Sequence, residues 1–299
     1  MRLVYLVHDL GDPAVARRLV MLRGCLASAV VIGFHRGPAA PATIEGWPAI
    51  SLGRTADGRL GKRILSIAGV YVTAGRLRTI IAGATVLMAR QLEMLVLATM
   101  LARRFARTAM VAYECLDVHR LMVEKSPAGH ALRLVEGRLL RATDMVIVSS
   151  DAFVSAYLRP VHNAGLPPFC LIENKILGCE TVAPVAAPSR RPGPPWRIGW
   201  YGVLRCKRSL ALLADLARAL PGQVVVELRG RPSRAAIPDF DRIVAAAPGL
   251  SFHGPYDRKT DLATLYGAVH FAWAVDFYED GANSQWLLPN RLYRGGFYN

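Results

Sequence analysis

Short apolar runs alternate with amphipathic helical patterns along most of the chain. The run from Leu3 to Val7 is long enough for one buried strand, and Ala29 to Phe34 is a second run of the same kind. Between them, the residues from Ala14 to Cys25 repeat their apolar positions at helical spacing. Because a strand, a helix and a strand in this order form a βαβ unit, the pattern predicts a parallel sheet.

The same alternation recurs along the rest of the chain. Further strands are predicted at Val111–Leu116, Met145–Val148, Phe169–Ile172, Arg197–Tyr201, Val224–Arg229, Leu250–Phe252 and Val269–Val275. Helices are predicted at Ala128–Ala142, Ala152–Leu158, Ser209–Leu220, Phe240–Ala247 and Asp261–Tyr266. Residues 59–107 also show helical spacing, and they carry nine Lys or Arg residues against one acid, Glu93. The whole pattern predicts an α/β fold with two sets of strands.

Composition changes at Pro184–Pro195, a stretch rich in Pro, Ala, Arg and Ser that is typical of a linker. The sequence therefore predicts a first domain over residues 1–183, a linker over 184–195 and a second domain over 196–299. Only about four strands fit into the second domain, whereas a doubly wound domain usually has five or six. We expect the second domain to be incomplete and the chain to be C-terminally truncated relative to longer relatives.

Composition favours a protein with a large core, since 53% of the 299 residues are hydrophobic. The five cysteines are scattered and lack zinc-site spacing, so we expect buried free thiols in a reducing cytoplasm. No signal peptide is evident at the start of the chain. The most membrane-like segment, Ile80 to Ala102, is interrupted by Arg90 and Glu93 and should not span a bilayer.

The formal net charge of +15 is concentrated near the start of the chain. Residues 1–110 hold 15 Lys or Arg and 5 Asp or Glu, a balance of +10. This balance indicates an anionic partner such as lipid headgroups or phosphates, although arginine spread over an ordinary surface gives the same count. The basic and apolar stretch 59–107 suits either contact with an anionic membrane or an ordinary core helix. Nucleic acid is not an expected partner, because the sequence contains no recognised nucleic-acid-binding module.

The loop from Gly202 to Ser209 is a candidate phosphate site. It follows a predicted strand and precedes a predicted helix, and it carries Arg205, Lys207 and Arg208. Backbone N–H groups at a helix start, together with these cations, would cradle a diphosphate. The structural alternative is a plain strand-to-helix turn with solvated basic residues.

The segment after the last predicted strand is rich in polar residues placed among aromatic ones. These polar residues are Asp276, Glu279, Asp280, Asn283, Ser284, Asn290 and Arg291. Sugars are bound by such mixtures, because hydroxyl groups need paired donors and acceptors beside flat apolar faces. The structural alternative is an exposed loop held down by neighbouring apolar side chains.

Two further strand ends carry candidate catalytic groups. His8 and Asp9 follow the first strand, and Asp117 and His119 follow another. Because the carboxyl ends of parallel strands line the ligand crevice of an α/β fold, a carboxylate here can serve as general base toward an acceptor hydroxyl. Asp117 is the preferred base and Asp9 the second. The alternatives are Asp9 as a helix N-cap and His119 as an ordinary surface histidine.

Several well-known motifs are missing from the sequence. No GxGxxG follows the first strand, and no P-loop, GxSxG or HExxH motif occurs. No Asp-x-Asp triplet stands where it would suit a metal-bound sugar nucleotide. The sequence therefore predicts no metal site.

These segments together resemble the bacterial glycosyltransferases of the GT-B fold, most of all the succinoglycan and exopolysaccharide biosynthesis type related to the family 4 group. The matching segments run through nearly the whole chain in the expected order: Leu6–Leu10, Tyr113–His119, Asp144–Ser150, Ile172–Lys175, Trp200–Ser209 and Asn283–Tyr293. The last two segments are the most specific.

The resemblance implies an α/β protein of two Rossmann-like, parallel-sheet domains with the active site between them. The second domain would bind a nucleotide diphosphate sugar, with Gly202, Arg205, Lys207 and Arg208 at the diphosphate. The acceptor would be a lipid-diphosphate-linked saccharide, and the enzyme would be cytoplasmic and peripheral to the inner face of the cell membrane. Such enzymes generally need no bound metal or other cofactor.

The resulting hypothesis is a hexosyltransferase of exopolysaccharide biosynthesis, in which Glu279, Asn283, Ser284 and Asn290 bind the donor. One position departs from the family pattern. Relatives commonly have an acid after the Leu-Tyr pair, where it holds the ribose hydroxyls, and here that position is Arg294, which cannot accept those hydrogen bonds. The alternative hypothesis is a catalytically inactive, truncated remnant that acts only as a basic membrane-surface protein.

Overall fold

The computed structural model describes residues 1–55, 69–70, 73–163, 165–178, 192–258 and 260–298. The chain divides into two compact units, Met1–Ile172 (unit 1) and Glu173–Asn299 (unit 2). The division precedes residue 183, the predicted end of the first domain. Residues 184–191 of the predicted linker lie outside the described residues, so the linker stays a prediction.

Within the described residues, unit 1 contains an eight-stranded sheet. Its strands are β1 (Arg2–Val7), β2 (Ser28–His35), β3 (Thr43–Ile44), β4 (Trp47–Arg54), β5 (Val86–Arg90), β6 (Met110–Cys115), β7 (Met145–Val148) and β8 (Phe169–Leu171). The spatial order is β3-β4-β2-β1-β5-β6-β7-β8, and β3–β4 is the antiparallel pair among otherwise parallel neighbours. The chain moves to one side of β1 through β2 and to the other through β5, so the topological switch point lies between β1 and β5.

Helices cover this sheet. They are α1 (Pro13–Leu22), α2 (Arg78–Ala82), α3 (Leu92–Phe105), α4 (Arg120–Val123), α5 (Pro127–Leu140) and α6 (Arg159–His162). The side chain of Asp12 accepts the backbone N–H of Ala14 and begins α1, and Ser126 does the same for Gly129 in α5. The predicted helix at 152–158 is a π-helical segment, Phe153–Leu158, that leads into α6.

The strands of unit 1 form where the sequence is continuously apolar. All five residues from Leu3 to Val7 are buried, because a central parallel strand is covered on both faces. Val15 and Leu19 of α1 are fully buried in the same hydrophobic cluster. The predicted βαβ unit is therefore present, with the packing that its apolar pattern requires.

The helical interpretation of residues 59–107 was wrong in one respect. Its described part contains strand β5 between α2 and α3, and four of the five β5 residues are buried. A short apolar run without Gly or Pro has the same signature in a buried strand and in a buried helix, so periodicity could not separate them. Residues 59–68 lie outside the described residues. Among the residues that the structure describes, no helix is long and apolar enough to cross a membrane.

The described part of unit 2 contains a four-stranded parallel sheet in the order β11-β10-β9-β12. Its strands are β9 (Trp196–Leu204), β10 (Val224–Pro232), β11 (Leu250–Phe252) and β12 (Phe271–Ala272). Its helices are α7 (Lys207–Ala219), α8 (Phe240–Ala245), α9 (Leu262–Gly267), α10 (Asn283–Trp286) and α11 (Asn290–Tyr298). The predicted strand at 269–275 shrinks to two residues, since the chain leaves the sheet after Ala272 and turns toward the start of α7.

Candidate functional site

The carboxyl end of β9 and the start of α7 form a basic turn in unit 2. Cys206 is the N-cap of α7, and its Sγ accepts the backbone N–H of Ser209 at 3.3 Å. The thiol is buried, whereas Arg205, Lys207 and Arg208 are exposed. The helix start contributes unpaired N–H groups and a partial positive charge, so the turn combines three cations with an anion-attracting helix end.

Glycines allow the strand ends beside this turn to approach closely. Gly202 in β9 and Gly230 in β10 are register partners, and both have positive φ, at 114° and 126°. A Cβ on Gly230 would lie 1.9 Å from the carbonyl oxygen of Gly202, which no side chain tolerates. Gly202, which the sequence placed at the diphosphate, therefore shapes the backbone of the turn.

The polar segment after β12 folds against the same turn. The backbone N–H of Phe277 donates to Cys206 Sγ at 3.3 Å, and Ser209 Oγ donates to the carbonyl oxygen of Val275 at 3.3 Å. The two regions are about 70 residues apart in the sequence, and both were predicted to bind the donor at the carboxyl edge of one sheet. The structure brings them into direct contact.

Two arginines of the turn lie over aromatic rings of this segment. The guanidinium carbon of Arg205 is 4.4 Å from the ring centre of Tyr278, and that of Arg208 is 4.3 Å from the ring centre of Phe277. Arg208 also lies 3.8 Å from a carboxylate oxygen of Asp280. Cation–π contacts of this kind orient an exposed guanidinium while its N–H groups remain available to a ligand.

Glu279, Asn283 and Ser284 are brought together, but they bind one another. Asn283 Nδ2 donates to Glu279 Oε2 at 2.8 Å, and the backbone N–H of Glu279 donates to Ser284 Oγ at 2.8 Å. Asn283 is only 6% exposed. These bonds fix the loop that carries Phe277 and Tyr278. Asn290, the fourth predicted donor residue of this segment, is exposed at the first position of α11.

Arg291 was predicted only as one of the polar residues of this segment, without an individual role. Its Nη2 lies 3.2 Å from Asp276 Oδ2, and its guanidinium carbon is 6.0 Å from the ring centre of Trp200. The Nη1 atom is buried and has no hydrogen-bond partner among the described residues. Burial lowers the pKa of this guanidinium, and the nearby Asp276 carboxylate opposes that shift. Arg291 thus fastens α11 to the segment that supports the basic turn.

The segment that begins unit 2 also contacts α11. Tyr293 Oη donates to Glu173 Oε1 at 3.1 Å, and Lys175 Nζ lies 2.5 Å from Glu173 Oε2. Hydrogen bonds from Lys175 and Tyr293 lower the pKa of Glu173. Two segments that carried the family resemblance, Ile172–Lys175 and Asn283–Tyr293, are therefore in contact.

Asp9 of unit 1 is largely committed to local contacts. Its Oδ1 accepts the backbone N–H of Gly11 at 3.0 Å, and Arg36 Nε lies 3.3 Å from its Oδ2. The alternative role of Asp9 as the N-cap of the following helix was wrong, because Asp12 caps α1. His8 precedes it, and burial lowers the pKa of this imidazole.

Asp117 and His119 are exposed after β6. His119 Nδ1 accepts the backbone N–H of Leu121 at 3.2 Å and caps α4, so the proton of the neutral ring belongs on Nε2. Strands β1 and β6 are separated by β5, which puts their ends about 10 Å apart. The predicted catalytic groups share one sheet edge, but Asp9 and Asp117 are beyond hydrogen-bonding distance of each other.

A buried charge cluster in unit 1 had no signal in the sequence. Glu114 is fully buried, and it lies 2.6 Å from Arg18 Nε and 3.3 Å from Arg90 Nη1. Tyr5 Oη donates to the same carboxylate at 2.5 Å. Burial, together with the Glu114 charge, raises the pKa of Tyr5, which keeps this phenol protonated as a donor. The cluster, which we call the Glu114 cluster, ties β1, β5, β6 and α1 together.

The aspartates of the Asp-x-Asp triplet at 239–241 both form exposed ion pairs. Asp239 lies 2.8 Å from Arg242, and Asp241 lies 3.0 Å from Arg234. The central Phe240 is fully buried in the core. Within the described part of the chain, no group of three or more His, Cys, Asp or Glu side chains is arranged to hold a metal ion.

Comparison with known proteins places this geometry in a family. No protein-family model matches the chain. The chain is 44% identical to the succinoglycan biosynthesis protein ExoL of Rhizobium meliloti (strain 1021), over 99% of its own length and 74% of that protein. The chain belongs to the ExoL family.

Solved structures establish the fold of this ExoL-family chain. The match to the lipopolysaccharide outer core galactosyltransferase WaaB covers 91% of the chain and 73% of WaaB, with a TM-score of 0.62 and 12% identity. The match to Anabaena HepE, solved in complex with UDP, covers 88% of the chain and 72% of HepE, with a TM-score of 0.59 and 17% identity. The match to sucrose-phosphate synthase of Thermosynechococcus elongatus covers 91% of the chain and 75% of the synthase, with a TM-score of 0.63 and 17% identity.

These comparisons confirm the family and the GT-B fold with parallel sheets that the sequence predicted. The chain is a member of the ExoL family with the GT-B fold. The roles assigned to individual residues are not tested by these similarities, because identity of 12 to 17% with solved structures carries the fold alone. They stay predictions.

Proposed function

We propose that this ExoL-family chain transfers a sugar from a nucleotide diphosphate donor to a lipid-diphosphate-linked saccharide in exopolysaccharide biosynthesis. The observation that carries the proposal is the basic turn of unit 2, where Arg205 and Arg208 are held over aromatic rings at the start of α7. The complex of HepE with UDP supports a nucleotide diphosphate as the donor class.

The basic turn suits the leaving group of this reaction. When the bond between the sugar C1 and the diphosphate oxygen breaks, that oxygen keeps the electron pair and the nucleotide diphosphate gains negative charge. Arg205, Lys207 and Arg208 and the N–H groups at the start of α7 stabilise that charge. Because the rings of Phe277 and Tyr278 already orient the two arginines, little ordering is needed when the donor binds.

The loop 279–284 and α11 form the rest of the proposed donor site. Glu279, Asn283 and Ser284 hold the loop in shape, and Glu279 and Asn290 provide oxygen atoms for donor hydroxyl groups. Arg291 secures this arrangement through Asp276.

The acceptor needs a base as its hydroxyl oxygen bonds to C1. Asp117, which is exposed after the carboxyl end of β6, is the better candidate for accepting that proton, and Asp9 is the second. The neutral ring of His119 carries its hydrogen on Nε2, which can donate to an acceptor or phosphate oxygen beside Asp117. Peripheral contact with an anionic membrane would bring a lipid-linked acceptor to unit 1, in keeping with the +15 net charge.

The test is transfer of radiolabelled sugar from nucleotide diphosphate sugars to a membrane lipid extract. We expect the 299-residue chain to label lipid, and the double variant Arg205→Ala/Arg208→Ala to lose about 100-fold in kcat/KM, since each charged hydrogen bond to phosphate contributes roughly 1.5–3 kcal/mol. The matched control is Arg218→Ala/Arg234→Ala, which removes two exposed arginines that pair with Asp215 and Asp241. It should change kcat/KM by less than about threefold.

Equal activity of the double variant and the wild type would refute the phosphate role of the basic turn. Calorimetric titration with UDP and other nucleoside diphosphates distinguishes a sugar transferase from a protein that has lost donor binding. A chain that binds vesicles but neither binds nucleotide nor transfers sugar would favour a non-catalytic membrane-surface protein, the role suggested by Arg294.

A further inference from the structure

Membrane contact was one of two interpretations of residues 59–107, and residues 59–68 and 71–72 of that stretch lie outside the described residues. In the described part of that stretch, residues 69–70 and 73–107, no large apolar side chain is exposed. The apolar side of α3 is core: Met94, Leu95, Leu97 and Leu101 are fully buried. Exposed cations remain, but insertion into a lipid surface also needs exposed apolar groups. The described side chains of this stretch therefore provide no exposed apolar contact for lipid.

Helix α5 has the exposed apolar groups that α3 lacks. Leu134 is 49% exposed and Val135 is 42% exposed, and Arg138 and Arg141 continue the same helical face toward its C-terminal end. The opposite face holds the buried residues Gly129, Glu136 and Leu140. The helix therefore carries an outward apolar ridge that ends in two arginines, the reverse of an ordinary surface helix.

The segment containing α6 lies along α5 and extends this surface. His162 Nε2 is 2.7 Å from Glu136 Oε2, and Tyr157 Oη donates to the same oxygen at 2.6 Å. A Cβ on Gly165 would touch the aliphatic stem of Arg141 at 3.4 Å. These contacts hold α6 beside the second half of α5. We call the resulting surface the α5–α6 face, and its residues are Leu134, Val135, Arg138, Arg141, Arg159 and Val161.

The charge of the α5–α6 face is of one sign. Its three arginines are exposed and form no ion pair with any described residue. The nearest acid on α5, Glu136, is fully buried. Asp144, which follows the helix, accepts the backbone N–H of Val111 at 2.7 Å. Exposed apolar side chains bordered by unpaired arginines match a bilayer with anionic headgroups, where the ridge enters the headgroup boundary and the arginines bind phosphate oxygens.

We propose that the α5–α6 face docks the protein on an anionic lipid bilayer. A residue of α5 outside this face contacts the segment that follows the candidate acceptor groups. Arg133 Nη1, on α5, donates to the carbonyl oxygens of Met122 and Glu124 at 2.8 and 3.0 Å, and so holds the segment that follows Asp117 and His119. Arg138 and Arg141 lie toward the other end of α5, near the start of β6, where Asp144 accepts the backbone N–H of Val111, so the proposal concerns membrane docking alone. The inference rests on the membrane contact included in the proposed function and assigns it to one surface, and vesicle binding tests it separately from sugar transfer.

The test is co-sedimentation of the full chain with vesicles of phosphatidylcholine alone or with one quarter phosphatidylglycerol. We expect binding to the mixed vesicles that weakens with salt. Leu134→Gln/Val135→Gln should weaken binding about tenfold or more, because two apolar side chains leave the interface. Arg138→Gln/Arg141→Gln should weaken binding about 20-fold, on the basis of roughly fivefold for each arginine.

Matched variants away from the face complete the experiment. Arg103→Gln/Arg104→Gln removes two exposed arginines of α3, and Leu212→Gln removes an exposed leucine of α7. Both controls should bind vesicles within about twofold of wild type, and nucleotide titration should be unchanged in every variant. Wild-type vesicle binding by both face variants would overturn the proposal, as would an equal loss in the α3 control. Light scattering that shows the face variants splitting a dimer, with vesicle binding intact, would assign the face to a second copy instead and also overturn it.

Discussion

Units 1 and 2 place arginines beside carboxylates and aromatic rings in opposite surroundings. In unit 1, the side chains of Arg18 and Arg90 are 4% and 7% exposed and surround a Glu114 side chain with no exposure. In unit 2, the side chains of Arg208 and Asp280 are 63% and 55% exposed. The residue types are the same, but their accessibility to a ligand is not.

The contrast separates a structural cluster from a ligand site. In the Glu114 cluster, Tyr5, Arg18 and Arg90 all donate hydrogen bonds to the Glu114 carboxylate, so these donors are not available to a ligand. Such a cluster costs desolvation free energy and contributes by fixing one arrangement of strands. The unit 2 arginines are supported from one side by aromatic rings and present their N–H groups to solvent, as an anion site requires.

The largest effect is expected from Glu114→Gln. The substitution keeps the shape of the side chain but leaves Arg18 buried without its counter-charge and Arg90 with Asp12 alone, at 3.6 Å. Removing one partner of a buried ion cluster costs about 3–5 kcal/mol of unfolding free energy. Urea unfolding followed by circular dichroism measures the loss.

The matched control is Asp215→Asn, which breaks an exposed pair with Arg218 in unit 2. An exposed pair contributes at most about 1 kcal/mol, so this variant should unfold nearly as the wild type does. If Glu114→Gln lost no more than the control, the cluster would not be the structural element described above.

A smaller effect is expected at Arg294, where the family pattern has an acid. Arg294→Glu supplies an acceptor for ribose hydroxyls and should raise the affinity for a nucleotide diphosphate sugar about tenfold, in line with roughly 1.5 kcal/mol for a charged hydrogen bond. Arg294→Gln is the control, because it removes the cation without adding a carboxylate. Isothermal calorimetry measures both. Equal affinities of the two variants would mean that the carboxylate has no role at this position.

Most strands of the fold could be predicted, because a buried parallel strand needs a continuous apolar run. Strand β5 was missed because its apolar run resumes in helix α3 after only three polar residues, Arg90, Gln91 and Glu93. Strand β4 was missed for another reason: it contains Pro48 and Gly53, residues that strands usually exclude. Both errors arise because the local sequence pattern does not contain the information on which strand faces will be buried in the tertiary structure.

The candidate donor site could be predicted in part. Arg205, Lys207 and Arg208 stand at a strand end, and position alone marks them as ligand-binding candidates. The burial of Arg291 and the Glu114 cluster could not be predicted. Tyr5 and Glu114 are 109 residues apart, and Arg18 and Glu114 are 96 apart. Such partners are selected by strand order, which no local spacing encodes.

The smallest effect is expected at the ring beneath Arg205. Tyr278→Leu keeps an apolar side chain but removes the cation–π contact, and an exposed contact of this kind contributes about 0.5–1 kcal/mol, or two- to fivefold in donor affinity. Phe271→Leu is the control, since it shortens an exposed aromatic side chain on β12. A double-mutant cycle with Arg205→Ala isolates the pair: if the ring acts by orienting the guanidinium, Tyr278→Leu should have no further effect once Arg205 is gone. If the losses in donor affinity of the two single variants were additive, Tyr278 would contact the donor directly. The aromatic rings would then not be what orients the exposed arginines of unit 2, and the contrast with unit 1 would be weaker.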